Sequence, residues 1–128
     1  MICTYLENAT RQQVFDKVAT HLLTQMEQAV GDIGGSCQYR AGKLSCAGGC
    51  LIPDEEHDED LVEQKDWTQL VRESVVPRNH MHLIVRLQRI HDRQNTRSWK
   101  EQLKILAESE GLEFGDALQQ LPITKESP

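Results

Sequence analysis

Thr10-Arg11-Gln12-Gln13-Val14-Phe15-Asp16-Lys17-Val18-Ala19-Thr20-His21-Leu22-Leu23-Thr24-Gln25-Met26 is the stretch on which the fold turns. Val14, Val18, Leu22 and Met26 recur every four residues, and Phe15, Ala19, Leu23 and Val30 widen the stripe. Side chains at that spacing share one face of an α-helix and need a core to cover them. Thr10 followed three residues later by Gln13 makes a capping box, in which each side chain satisfies a backbone N–H that the first helical turn leaves orphaned. The pattern predicts a helix from about Thr10 to Val30, stopped by Gly31. His21 lies beside the apolar stripe and reads as a core or boundary histidine.

Further along, the same period returns three times. Asp60 with Glu63, or Asp66 with Gln69, can start a second helix with Leu61, Trp67, Leu70 and Val71 on its face and Pro77 at its end. A third runs from about Arg78 to His91 on Leu83, Leu87 and Ile90, widened by Met81 and Ile84. A fourth starts near Ser98, boxed with Glu101, carries Trp99, Leu103 and Leu106, and closes at Gly111. Phe114, Leu118 and Leu121 suggest a last short helix. Between the first helix and the second the period changes. Gly34-Gly35 marks a turn, and Cys37-Gln38-Tyr39-Arg40 and Lys43-Leu44-Ser45-Cys46 flank Ala41-Gly42, which reads as a β-hairpin over about 36–46. With Ala41-Gly42 as a two-residue loop, Arg40 faces Lys43, Tyr39 faces Leu44 and Cys37 faces Cys46. The expected fold is mainly α: a bundle of about four helices with one short hairpin and a cysteine-containing loop, forming a single domain over 1–121 with a flexible tail over 122–128.

Composition narrows the function classes. The net charge of −6 disfavours a phosphate-backbone binder, because such affinity comes largely from Lys and Arg displacing counterions. No apolar run approaches the roughly 20 residues that span a bilayer, and Met1 to Leu6 lacks the basic and apolar regions of a secretion signal. A cytoplasmic location follows as the expectation, with the four cysteines reduced.

Cys37, Cys46 and Cys50 are the most specific local feature. A hairpin brings two of the thiols together, and Gly48-Gly49 lets the chain curl so that Cys50 joins them; zinc takes three or four such ligands in a tetrahedron, with His57, Asp54 or water as the fourth. The alternatives are three packed thiols at a tight turn, or a Cys37–Cys46 disulfide. The cofactor expectation is therefore none, or one structural zinc. Arg40, beside Tyr39, is a candidate clamp for an anionic ligand. No His-x3-His or His-Glu-x2-His pattern accompanies the cysteines, and no phosphate loop, dinucleotide fingerprint or serine elbow is present. The chain leans away from catalysis.

Two charged stretches are candidate binding surfaces. Asp54 to Asp60 carries six carboxylates around His57. It lacks the spaced ligands and central glycine of a calcium loop and reads instead as a solvated helix start or a contact for a basic protein, through Asp54, Glu55, Glu56 and Asp58 with Tyr39 and Arg40. Arg86, Arg89, Arg93, Arg97 and Lys100 lie close to i, i+3/i+4 spacing and form a basic stripe if the helices are contiguous, which is the basis of a nucleic-acid reading.

Several of these stretches together resemble a family. Val14-Phe15-Asp16-Lys17-Val18 with His21-Leu22-Leu23, then Cys37-Gln38-Tyr39-Arg40 and Leu44-Ser45-Cys46-Ala47-Gly48-Gly49-Cys50-Leu51-Ile52-Pro53-Asp54, then Ile90-His91-Asp92 and Trp99, are similar to a group of small uncharacterised bacterial, phage and prophage proteins. Its pattern runs Cys-x-Tyr-Arg, Gly, Leu-Lys-Cys-Ala-x-Gly-Cys-Leu-Ile-Pro-Asp, and later Ile-His-Asp and Trp, and covers roughly residues 11–115. Ser45 stands where the pattern usually has Lys, and His57 where it often has Tyr, which weakens the case for His57 as a metal ligand shared by the family. The resemblance implies a bacterial-host or phage context and singles out Cys37–Asp54 without naming a reaction. The expected function is a small phage or prophage accessory protein that binds a macromolecular partner, with inhibition of a host defence system as one subclass. The rivals are a metal- or small-ligand protein centred on Cys37–Cys50 and a nucleic-acid accessory protein.

Overall fold

In the computed structural model, residues 1–30 and 38–123 are described. The expected fold class holds: the chain is mainly helical with one small antiparallel hairpin. Among the described residues six α-helices follow in order, α1 (Arg11–Gln25), α2 (Glu59–Val62), α3 (Trp67–Arg72), α4 (Met81–Arg93), α5 (Trp99–Ser109) and α6 (Asp116–Gln119). The hairpin is β1 (Arg40–Ala41) paired with β2 (Leu44–Ser45). No helix among the described residues is long and apolar enough to cross a membrane.

Helix α4 is the central element and packs against α1, α3 and α5, while α1 also touches α5, α6 and the 3-10 turn Gly49–Leu51. Leu83, Ile84 and Leu87 of α4 meet Phe15, Val18, Leu22 and Leu23 of α1 in one buried cluster, which Trp99, Leu103 and Leu106 of α5 complete. The two longest stripes read from the sequence are thus the two faces of one core, and hydrophobic burial holds it together.

Local signals set several boundaries correctly. Thr10 and Gln13 form the complete capping box: Thr10 Oγ1 accepts from Gln13 N at 3.1 Å and Gln13 Oε1 accepts from Thr10 N at 2.8 Å. Asp66 caps α3 by accepting from Gln69 N. Gly111 takes a positive φ just past α5.

Elsewhere long-range contacts move the boundaries. α1 ends at Gln25, not Val30, with Met26 in the left-handed region. The expected stop at Gly31 and the turn at Gly34-Gly35 lie outside the described residues. The second helix is two short ones, α2 and α3, separated by Gln64 at φ 66°. The box expected from Asp60 and Glu63 does not form; Asp58 caps α2 through Asp60 N, and Glu63 turns to the hairpin. The third helix runs Met81–Arg93 rather than Arg78–His91. Ser98 gives α5 no side-chain cap; Asn95 instead accepts from Ser98 N and starts a 3-10 turn that leads into the helix. The last element is only Asp116–Gln119. Of the tail expected over 122–128, residues 124–128 lie outside the described residues.

The hairpin register also differs. Ala41 pairs with Leu44 and Arg40 with Ser45, so the loop is Gly42-Lys43 rather than Ala41-Gly42. Gly42 takes φ +62°, and glycine at the first position of a two-residue turn meets that demand at no steric cost. Cys46 then lies across from Tyr39, whose carbonyl accepts from Cys46 N. The expected Cys37–Cys46 pairing rests on a register the hairpin does not have, and Cys37 itself lies outside the described residues.

Candidate functional site

The Cys46–Asp54 loop and the hairpin before it are held by polar side chains that include Tyr39, Arg40 and Asp54. Tyr39 is buried, its ring against Trp67 at 6.4 Å and its hydroxyl donating to Lys65 O at 2.7 Å. Burial first, and then nearby acidic groups, push that hydroxyl well above the usual tyrosine range. Arg40 reaches across the loop, donating to the carbonyls of Gly49 and Ile52 and pairing with Asp54, whose carboxyl the guanidinium holds below the usual range. Glu63 accepts from two successive backbone groups, Tyr39 N at 3.0 Å and Arg40 N at 3.2 Å, and contacts His57 Nε2 at 3.1 Å. From α1, Gln25 grips the free edge of β2 as a further strand would: its side chain donates to Ser45 O at 2.9 Å and accepts from Ser45 N at 3.0 Å. His21 Nε2 adds a bond to Ser45 O at 2.8 Å, and burial lowers the pKa of this ring.

The thiols serve the same frame. Cys3 Sγ donates to Leu51 O, Cys50 Sγ donates to Ala47 O, and Cys46 Sγ accepts from Gly49 N at 3.3 Å. Burial pushes Cys3 and Cys50 up to about 12 and raises Cys46 further. A nucleophile is a thiolate, and this setting favours the thiol. Among the described residues no three His, Cys, Asp or Glu side chains are grouped to hold a metal ion. His57 is engaged with Glu63 rather than with Cys46 or Cys50.

A pH effect follows from these thiols. An unfolded chain releases their protons near the ordinary thiol value of 9.0, whereas the fold retains those of Cys3 and Cys50 to about 12. Between those values the folded chain binds more protons, so stability is full below about pH 9 and falls as the pH rises above it. In native protein at neutral pH, iodoacetamide is expected to label Cys3, Cys46 and Cys50 far more slowly than after unfolding. Labelling at equal rates in both states would show that these thiols are not buried as described.

The acidic segment divides between frame and surface. Glu56 accepts from Cys3 N at 2.9 Å, and Asp58 is the α2 cap. Asp54 pairs with Arg40 yet leaves 89% of its side chain exposed. Glu55, Glu59 and Asp60 are exposed beside Leu61.

The basic stripe is not continuous, because α4 ends at Arg93 and a 3-10 turn precedes α5. Lys100 donates to Gln119 O and so ties α5 to α6. Arg86 pairs with Glu110 at 3.1 Å, and Arg11 reaches the other oxygen of that carboxylate at 2.8 Å. Arg97 is exposed in the connecting turn. Arg86, Arg89 and Arg93 fall at i, i+3 and i+7, on one face of α4 and roughly opposite Gln88, whose side chain accepts from Gly48 N in the cysteine loop. With Ile90 they form one wall of an open groove; Gln102, Ile105 and Leu106 of α5 form the other, and Gln94 lies at its end. Ile105 is 49% exposed there. Arg89 and Arg93 have no ion pair to another described residue.

The interhelical groove was not legible as a site, since its α5 wall carries only ordinary helix residues. The one signal was the arginine spacing. No family model, curated protein or solved structure matches the chain.

Proposed function

We propose that this chain is a small accessory protein of phage or prophage type that acts by binding a protein in the cytoplasm of a bacterial host, with inhibition of a host defence system as one subclass of that activity. The observation that carries the binding reading is the α4–α5 groove, where Arg86, Arg89 and Arg93 line an opening that also exposes Ile105. Arginine beside accessible apolar surface is the chemistry of protein interfaces, where it is enriched and where a few such side chains supply most of the affinity. A phosphate backbone engages the arginines but offers Ile105 nothing. The polar contacts around Cys46–Asp54, by contrast, are used inside the molecule.

Capture on the immobilised full chain from lysate of a bacterial host tests this reading. Recovery of one protein in stoichiometric amount, retained after nuclease treatment, is expected. Recovery of nothing, or of nucleic acid alone, would overturn it.

A further inference from the structure

We infer that the α4–α5 groove takes an acidic amphipathic helix from the protein partner; the inference rests on the protein-binding reading above and adds the surface and the chemistry of what docks there. Arg86, Arg89 and Arg93 rise about 10 Å along α4, the rise of seven helical residues. A partner helix laid along the groove repeats that rise. Of carboxylates at its positions i, i+3 or i+4, and i+7, two then meet the uncompensated Arg89 and Arg93 and the third comes to Arg86, which already carries Glu110, while an apolar side chain on the same face reaches Ile105 and the Leu106 floor. The furrow between two packed helices is where a third packs, 8–10 Å from each.

The chain itself shows a carboxylate seated against the stripe. Glu110 Oε1 lies 3.1 Å from Arg86 Nη1 at the upper end of the row, and Arg89 and Arg93 continue it without a described counter-charge. A duplex satisfies only half of this surface, and its dense negative charge meets a chain of net charge −6. A short acidic helix carries a few charges and supplies the apolar contact as well.

Fluorescence anisotropy with a labelled synthetic helix bearing Glu at i, i+3 and i+7 and Leu between them tests the inference. The comparison probes are the same helix with Lys for Glu, and a labelled DNA duplex at low salt. The full chain is expected to bind the acidic helix and neither of the others. Arg89→Glu with Arg93→Glu should weaken binding by at least about tenfold. Ile105→Asp should weaken it comparably, although every arginine is kept. All three side chains are exposed, so unchanged melting curves certify the folds. The inference is overturned if the acidic helix binds no better than its Lys version. Preferred binding of DNA that ignores Ile105 would overturn it too. If a captured cellular partner survives Arg89→Glu with Arg93→Glu, the groove assignment fails and the protein-binding reading stands; if no partner is captured at all, that reading fails first.

Discussion

Gly49→Ala is expected to destabilise the fold by at least about 3 kcal/mol, the upper part of the range for overpacking a core. A Cβ built on Gly49 overlaps the Tyr39 carbonyl oxygen and lies 2.8 Å from its carbonyl carbon. Both obstacles are backbone, and that backbone cannot yield easily. The Tyr39 carbonyl accepts from Cys46 N, its own N–H donates to Glu63, and its ring is fixed against Trp67. Moving it opens the hairpin, and the hairpin carries the Gln25 clamp to α1. Thermal unfolding is the measurement, with a fall in Tm of about 12 °C expected at about 4 °C per kcal/mol for a chain of this size. Gly42→Ala is the companion variant. Its Cβ meets nothing within 4 Å, and only the φ of +62° opposes it, so its cost should be about 1 kcal/mol. Equal melting temperatures for the two variants would contradict the close approach at Gly49.

His91→Ala is expected to cost about 3 kcal/mol or more, from a cavity together with an orphaned backbone donor. The side chain of His91 is fully buried and stacks on Trp99 at 5.6 Å. Its Nε2 accepts from Ala29 N at 2.9 Å, which fixes the ring hydrogen on Nδ1, and Nδ1–H donates to Asp92 at 2.7 Å. The ring thereby ties the chain beyond α1 to the end of α4 and the start of α5. Truncation leaves the Ala29 N–H buried without an acceptor and Trp99 without one face of its packing. Urea unfolding should show a lower midpoint at an unchanged slope, since the same surface is exposed. His91→Gln, which keeps an acceptor on a side chain of comparable reach, should recover part of the loss. A variant as stable as the parent would show that the ring is not the link between these segments.

What the sequence disclosed and what it withheld divide along the range of the interactions. The Thr10–Gln13 box, the Asp66 cap and the stripes of α1, α4 and α5 depend on residues three or four apart, and they were readable. The end of α1 was not, because Met26 turns into the left-handed region directly after Gln25, whose side chain is fixed to Ser45, twenty positions away. Glu63 looked like half of a capping box and proved to be the acceptor for two hairpin amides. The hairpin turn lies one residue beyond the Ala41-Gly42 pair that the sequence pattern suggests. A two-residue turn puts its positive φ first, which Gly42-Lys43 satisfies and Ala41-Gly42 does not. The glycine pair before Cys50 was visible, but its reason was not: Gly48 gives room to Tyr39 and Trp67, and Gly49 to the Tyr39 backbone.

The candidate sites divided the same way. Tyr39, Arg40 and Asp54 drew attention as chemistry-bearing side chains, and they spend that chemistry on one another and on loop carbonyls. The arginine spacing was legible on α4, but only the packing of α5 beside it turns three arginines into a groove with an apolar wall.

Where the partner docks is decided by side-by-side capture from bacterial lysate on three forms of the full chain: the parent, Arg89→Glu with Arg93→Glu, and Glu55→Lys with Glu59→Lys on the acidic segment. One stoichiometric protein partner is expected, lost with the arginine variant and kept with the acidic-segment variant. A partner lost only with the acidic-segment variant would contradict it and place the binding surface at residues 54–60 instead.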